Sequence, residues 1–311
     1  MNAQYKENGP FKIWAVPNVE QGAEFYFSPD GKSIIGNAKQ GSDSIFQVYT
    51  VSIDGSVIRR INDKGEDACS FYFPDGKKLI FTSTKDNLDF PHGNFSDPSN
   101  YPQSPELYIS DLEGKNVRRL TNNKYYDAEV SVSPDGKWVL FTRQIDGQLD
   151  LWKVRPDGTN ETQLTKTKDI QEGGAFFLNE HTIIFRAWDI KDQGQKGIPM
   201  QIFTIKDDGT DLKKISNEPG TNWAPFPAPD GDHFSFVKVV PPKNFEIFIG
   251  SVSSPELKQI TFSDAFDGYP AISPDGKLLT FSSNRDAKPG ERKLMQYLVD
   301  ISSLGLAAKK K

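Results

Sequence analysis

The chain has one cysteine, Cys69, in 311 residues, with three histidines and three methionines. A single cysteine excludes an intramolecular disulfide and any zinc or iron–sulfur site built on thiolates. No apolar run approaches the roughly 18 residues of a membrane span, so none is expected. The opening stretch MNAQYKENGPFKIW has no apolar signal core, as in a cytosolic protein or a processed mature form. Positive charge is not in excess: 37 Lys and Arg stand against 42 Asp and Glu, for a net charge of −5. Such a chain lacks the electrostatic footprint that nucleic acid or an anionic membrane demands. With 36% hydrophobic and 25% charged residues it suits a rather polar globular protein and not a disordered one, and 22 Phe, 10 Tyr and 5 Trp are available for a core. Two glycosylation sequons begin at Asn94 and Asn160, matches common by chance, and the terminal Lys309, Lys310 and Lys311 make too short a run for a nucleic-acid arm.

What the chain does have is a repeat. SPDGK at 28–32 recurs as FPDGK at 73–77, SPDGK at 133–137, APDGD at 228–232 and SPDGK at 273–277, with a degenerate FLNEH at 177–181. The starts are 45, 60, 44, 51 and 45 residues apart, a mean of 49, which is the length of a four-stranded propeller blade. Each copy has an apolar run, a Pro-Asp-Gly turn and a β-rich run. A third alternating run follows, and an Asp-Gly or Glu-Gly turn leads into a short fourth. In the turn, proline presets φ, aspartate bonds its own backbone and glycine accepts positive φ. Period-two patterning with short turns means antiparallel strands, and six such units predict an all-β, six-bladed propeller. The last unit lacks a fourth strand, while residues 11–16 form an orphan strand ahead of the first unit. Pairing the two closes the ring and hides its edges. The expected organisation is a tail at 1–10, one propeller domain at 11–301 and a tail at 302–311.

The SPDGK turn followed by an apolar run and FTS, with tails such as the VRRLT at 117–121, resembles the PDG-type repeats of the TolB family. Residues 126–136, 173–177 and 267–276 are similar to that family too, and the resemblance spans 11–301. It implies a six-bladed propeller and a periplasmic or secreted location. It also implies a place among periplasmic scaffolds, peptidase caps or oligogalacturonate lyases. No separate domain precedes the repeats as in TolB itself, which argues against a role in the Tol envelope complex. The sequence has no Gly-x-Ser-x-Gly elbow and no room for a hydrolase domain, which argues against a serine peptidase.

In a propeller the first strand of each blade lines the central channel. The surplus residues of units two, four and five, at 85–105, 189–199 and 240–244, all lie between second and third strands, so they extend one face, as a binding surface would. Residues entering the innermost strands on that face are mostly acidic: Glu24, Glu66, Asp67, Asp127, Glu129, Glu172, Asn222, Asp264 and Asp267. Tyr26, Tyr125, Tyr126, Trp223 and Tyr269 stand among them. Clustered carboxylates suit a hard cation such as Ca²⁺, and carboxylates beside aromatic faces suit sugars or cationic ligands. The alternative is that the acids cap backbone amides and join blades. His181 and His233 fall on the opposite face, leaving only His92 on the long-loop side, so the histidines do not converge on one metal and the His-rich pattern of the lyases is not met. Arg186 either holds a ligand carboxylate or bridges two blades. Trp14, Trp138, Trp152 and Trp188 are expected in packing. The resulting expectation is a monomeric, non-catalytic binding propeller. Glu24, Asp67, His92, Asp127, Glu129, Glu172, Asn222, Trp223, Asp267 and Tyr269 would hold a protein or carbohydrate-like ligand. The alternative is a polysaccharide lyase or hydrolase acting with a divalent cation, in which Asp127 is the residue to test.

Overall fold

The computed structural model describes residues 5–195, 197–241, 244–288, 290–291 and 293–308. Pro242 and Lys243 of the third expected insertion, Lys196 of the second, and the terminal lysines 309–311 lie outside the described residues. Blade one comprises Gln21–Phe27, Ser33–Lys39, Gln47–Ser52 and Ile58–Arg60. Blade two comprises Asp67–Tyr72, Lys78–Ser83, Glu106–Asp111 and Arg118–Arg119, and blade three Tyr126–Val132, Val139–Ile145, Gln148–Val154 and Thr162–Gln163. Blade four runs Ile170–Asn179, Thr182–Asp189, Gln201–Lys206 and Lys213–Lys214, and blade five Asn222–Pro227, His233–Val240, Asn244–Ser251 and Lys258–Gln259. Blade six takes Asp267–Ile272, Leu278–Ser283 and Met295–Asp300 from one end of the chain and Phe11–Ala15 from the other. All neighbours are antiparallel, and the innermost strand of each blade packs on that of the next until blade six meets blade one. The all-β, six-bladed propeller read from the repeats is the fold.

The turns form as their chemistry dictates. In the first repeat Ser28 Oγ donates to Asp30 Oδ1 at 2.7 Å, Asp30 Oδ1 accepts from Lys32 N at 3.1 Å, and Gly31 takes φ of +70°. The same contacts recur around Asp135 and Asp275. The degenerate copy at 177–181 keeps the turn, with Asn179 Oδ1 accepting from His181 N at 3.1 Å.

Closure works through register. Ile13, Trp14 and Ala15 pair with Val299, Leu298 and Tyr297, and Val16 N donates to Gln296 O at 2.8 Å. The stretch expected as an N-terminal tail adds Tyr5–Asn8 as a fifth, outermost strand on this sheet. Ile13 is fully buried in the largest apolar cluster, while Lys12 beside it faces solvent. Ile13→Ala should therefore lower the unfolding free energy by about 3 kcal/mol in urea titrations. Lys12→Ala should leave it nearly unchanged; equal effects would refute a buried closing strand.

Candidate functional site

Six equivalent irregularities define the site. In every innermost strand the pairing register slips, at Ala23/Tyr26, Ala68/Ser70, Ala128/Ser131, Gly173/Phe176, Trp223/Phe226 and Gly268/Ala271. At each slip one residue is left-handed: Glu24 (φ 59°), Cys69 (41°), Glu129 (55°), Gly174 (59°), Ala224 (50°) and Tyr269 (53°). A bulge inserts one residue and re-aims its side chain. All six residues line one cavity of about 880 Å³ in the mouth of the channel. Five of them are not glycine, and a left-handed L-residue costs on the order of 1–3 kcal/mol, a strain that concentrates at binding sites and active sites.

The positions around each bulge sort the nominated residues. Two places before it stand Gly22, Asp67, Asp127, Glu172, Asn222 and Asp267, and the last five are buried and internally bonded. Asp127 takes both Nε and Nη2 of Arg143, at 2.6 and 2.8 Å. Asp267 accepts from Arg285 Nη2 at 2.7 Å, and Glu172 from Thr165 Oγ1 at 2.8 Å. Asp67 Oδ2 accepts from Val48 N of blade one at 2.9 Å. Asn222 Nδ2 donates to Glu218 O at 3.0 Å. Asp127, Glu172, Asn222 and Asp267 thus stiffen blades and do not line the cavity; Asp67 does both. Among the described residues no group of three or more His, Cys, Asp or Glu side chains is placed to hold a metal ion. Of the residues nominated for a cation, Asp127, Glu172, Asn222 and Asp267 are spent on these partners and stand outside the cavity lining. His92 is exposed and outside the lining, as is Asp264.

Glu24, Glu129, Trp223 and Tyr269 do come together, joined by Glu66 and by three residues that repeat alignment did not single out for this role: Asn37, Cys69 and Trp188. Glu129 is fixed by Arg186 Nη2 at 2.5 Å, Gly174 N at 2.7 Å and Thr142 Oγ1 at 2.9 Å. Arg186 therefore bridges blades three and four. A Cβ on Gly173 would lie 2.3 Å from Glu129 Oε2, and one on Gly174 would lie 2.2 Å from Arg186 Nη1, so only glycine leaves room for this pair. Glu24 accepts from Tyr26 OH at 3.1 Å and, at 3.5 Å, from Asn37 Nδ2 and the Cys69 thiol. Burial, and then the negative charge of Glu129, push its carboxyl up from 4.5 to about 7. Burial also raises the Cys69 thiol and the Glu66 carboxyl.

Two places beyond the bulges, Tyr26, Phe71, Phe176 and Phe226 fill the channel axis, with ring centroids 4.9–6.0 Å apart. One place before the bulge, five blades carry Ala or Gly and blade five carries Trp223, which meets Tyr269 edge-on at 4.7 Å. The walls are Asn94, Phe95 and Tyr101 from the blade-two insertion, Ile198 from the blade-four insertion with Met200 just beyond it, and Phe245 from the third strand of blade five; none of the described residues of the blade-five insertion lines the cavity. Tyr101 stacks on Tyr126 at 4.0 Å, and Phe95 meets Tyr126 at a tilt, with centroids 6.1 Å apart. Removing 86–104 would strip the cover from Tyr126, so point substitutions probe the site better.

This is a six-bladed propeller with a central cavity bordered by long loops and an aromatic cluster. More particularly, the chain is a TolB-like six-bladed β-propeller. No family model matches it. Over 264 residues it is 24% identical to an uncharacterized protein of Agrobacterium fabrum, covering 74% of this chain and 88% of that one. It is 24% identical to an uncharacterized peptidase of Bacillus subtilis over 83% of this chain and 29% of the peptidase. A TolB homologue of Chlorobium chlorochromatii is 25% identical over 67% of this chain and 40% of its own length. The chain thus spans well under half of these last two relatives. Among solved structures, TolB of Acinetobacter baumannii superposes with a TM-score of 0.64 at 16% identity, over 90% of this chain and 63% of that one. An oligogalacturonate lyase of Vibrio parahaemolyticus superposes at 0.62 with 10% identity over 96% of both, and an oligogalacturonate lyase in complex with manganese at 0.62 with 12% over 96% of both.

Protonation has a consequence for stability. Folded Glu24 retains a proton to about pH 7 that the unfolded chain releases near 4.5, so folding loses free energy as pH rises through that window. Glu172 (raised to about 8) and Glu246 (to about 7) act in the same sense, burial being the main cause in both. The melting temperature should fall between about pH 5.5 and about pH 8.5. Glu24→Gln should raise it by about 2–4 °C at the higher pH and by less at the lower. An unchanged or opposite pH trend in scanning calorimetry would refute this protonation state.

Proposed function

We propose that the chain is a non-catalytic binding propeller, monomeric and working in the periplasm or outside the cell. It seats part of a protein or a glycan-like ligand in the cavity beneath its long loops. One observation carries the reading: the insertions of blades two and four and all six bulge residues, five of them strained, converge on a single cavity at one end of the channel. Loop growth by drift would not favour one point, and strain of this kind persists where it positions side chains for use. On this reading the aromatic floor lies beneath the ligand, which enters and leaves by the mouth. Leu88 and Phe90 of the blade-two insertion and Ile190 of the blade-four insertion stay exposed, offering contacts to a ligand larger than the cavity. The TolB-like neighbours support a protein partner and a periplasmic setting.

The test is to probe peptide and glycan arrays with the protein and with two variants. Trp223→Ala should weaken any binding at least tenfold, about 1.4 kcal/mol, with the circular dichroism spectrum intact. Asp135→Ala, in a Pro-Asp-Gly turn on the far face, should not. Binding that survives Trp223→Ala and fails with Asp135→Ala would place the site on the wrong face.

A second reading, a lyase or hydrolase, is favoured by Glu24. Its carboxyl titrates near neutrality at the cavity wall, where a general acid or base works best. The solved lyases show that the fold accommodates such chemistry. Glu24, which lines the cavity, then takes the catalytic role in place of Asp127, which is held by Arg143 outside the lining. On this reading uronate polymers incubated with the protein yield unsaturated or shortened products, and Glu24→Gln lowers the rate at least a hundredfold. Absence of turnover on such polymers removes it.

A further inference from the structure

Within the cavity, charges and hydrogen-bond capacity do not balance. Its lining has four carboxylates, Glu24, Glu66, Asp67 and Glu129, and one guanidinium, Arg186. Arg186 is spent on Glu129, and Asp67 is bonded by Val48 N and Asn62 Nδ2. Glu66 lies within the field of Lys39 and His92. Glu24 is left with only neutral donors: a phenol, an amide and a thiol. Beside it Asn37, 8% exposed and lining the same cavity, gives its Nδ2 to Glu24 while its Oδ1 has no partner among the described residues. A buried amide oxygen left unsatisfied is costly, and so is a carboxylate without a counter-charge. Two acceptors side by side, one of them charged, ask for a donor that carries positive charge. Tyr269, on the neighbouring blade and within the field of Glu24, and Trp223 against it add aromatic rings of the kind that attract cations.

From this we infer that the cavity recognises an organic ammonium group, seated between Glu24 and Asn37 and flanked by the rings of Tyr269 and Trp223. The inference rests on the cavity being the binding site and narrows what it takes: an amine of a partner protein in place of an uncharged glycan. A hydroxyl would satisfy Asn37 Oδ1 but leave the charge of Glu24 unmatched. Across the channel, Arg186 Nε and Trp188 Nε1 are buried donors without partners among the described residues. They suit a carbonyl or hydroxyl oxygen further along the same ligand, and a neutral one, since the positive charge of Arg186 is already matched by Glu129.

The groups facing Glu24 set the pH response. They are Tyr26 on its own strand, Cys69 on blade two, Glu129 on blade three, Arg186 on blade four and Tyr269 on blade six. Of these Glu129 and Arg186 are paired with each other, and the phenols and thiol stay neutral, so among them Glu24 changes charge near pH 7; Asp67 on the same wall, also pushed up to about 7 by burial, adds to the response in the same sense. An ammonium is then held more tightly as pH rises from about 6 to about 8, by about tenfold for one proton linked at pKa 7.

The test uses benzylammonium and benzyl alcohol, probes of similar shape that differ in charge, titrated into the intact protein by ligand-observed NMR. Benzylammonium should bind at least about tenfold more tightly than the alcohol at about pH 8. Glu24→Gln should erase that margin, Asn37→Val should narrow it, and acidification to about pH 6 should shrink it. Circular dichroism confirms that both variants are folded. Equal binding of the two probes, or a margin that survives Glu24→Gln, overturns the cation preference while the cavity reading stands. Binding of neither probe also overturns it, and the array experiment with Trp223→Ala then decides the cavity reading separately.

Discussion

A regular strand cannot aim consecutive polar residues at one axis, because its side chains alternate between two sides. This propeller meets that constraint with one bulge per blade, and everything in its mouth depends on the device. The inserted residue leaves the ladder, takes positive φ and turns toward the channel, while the residue two places earlier stays between blades. The acids therefore part into two sets. Asp127 and Asp267 hold arginines and stiffen their blades, whereas Glu24 and Glu129 are presented to whatever enters. Gly173 and Gly174 show how closely the second set is fitted, since either Cβ would displace the Glu129–Arg186 pair.

Most of the fold was legible because repeated turn chemistry is local. Serine, aspartate and glycine in each Pro-Asp-Gly turn make the contacts their types predict, so the number of blades and the closing strand follow from spacing alone. The site was legible only in part. Asp127 and Glu129 lie two residues apart and look equivalent by period-two reasoning, so both were nominated. A bulge is a tertiary compromise that leaves no mark in apolar periodicity. The signal available in the sequence was comparative: five blades carry Ala or Gly where the sixth carries Trp223. Asn37 gave no signal, because its importance lies in an oxygen left without a partner. Tyr5–Asn8 was hidden for another reason, since a polar edge strand lacks the alternation that marks a half-buried one.

The neighbours share the ring and differ in use. A TolB and two oligogalacturonate lyases superpose over nearly all of this chain at identities of 10–16%, a level at which the fold is common property and the mouth is not. The mouth of this chain combines an aromatic floor, a thiol, two carboxylates and a tyrosine at the bulges, and acids raised toward neutrality by their own confinement.

The ladder between Ile13 and Val299 joins residues separated by nearly the whole chain. A ribosome releases the first partner well before the second, so the nascent ring stays open until the last strand of blade six has emerged. Contacts between such distant partners are slow to form, because the entropy of closing the loop must be met before any of them stabilises the chain. Until then blade one has no finished neighbour on one side, and the wall that carries Glu24 is incomplete. The pocket can mature only after blade six has fully emerged, which makes the interval before ring closure the period of greatest vulnerability to misassociation.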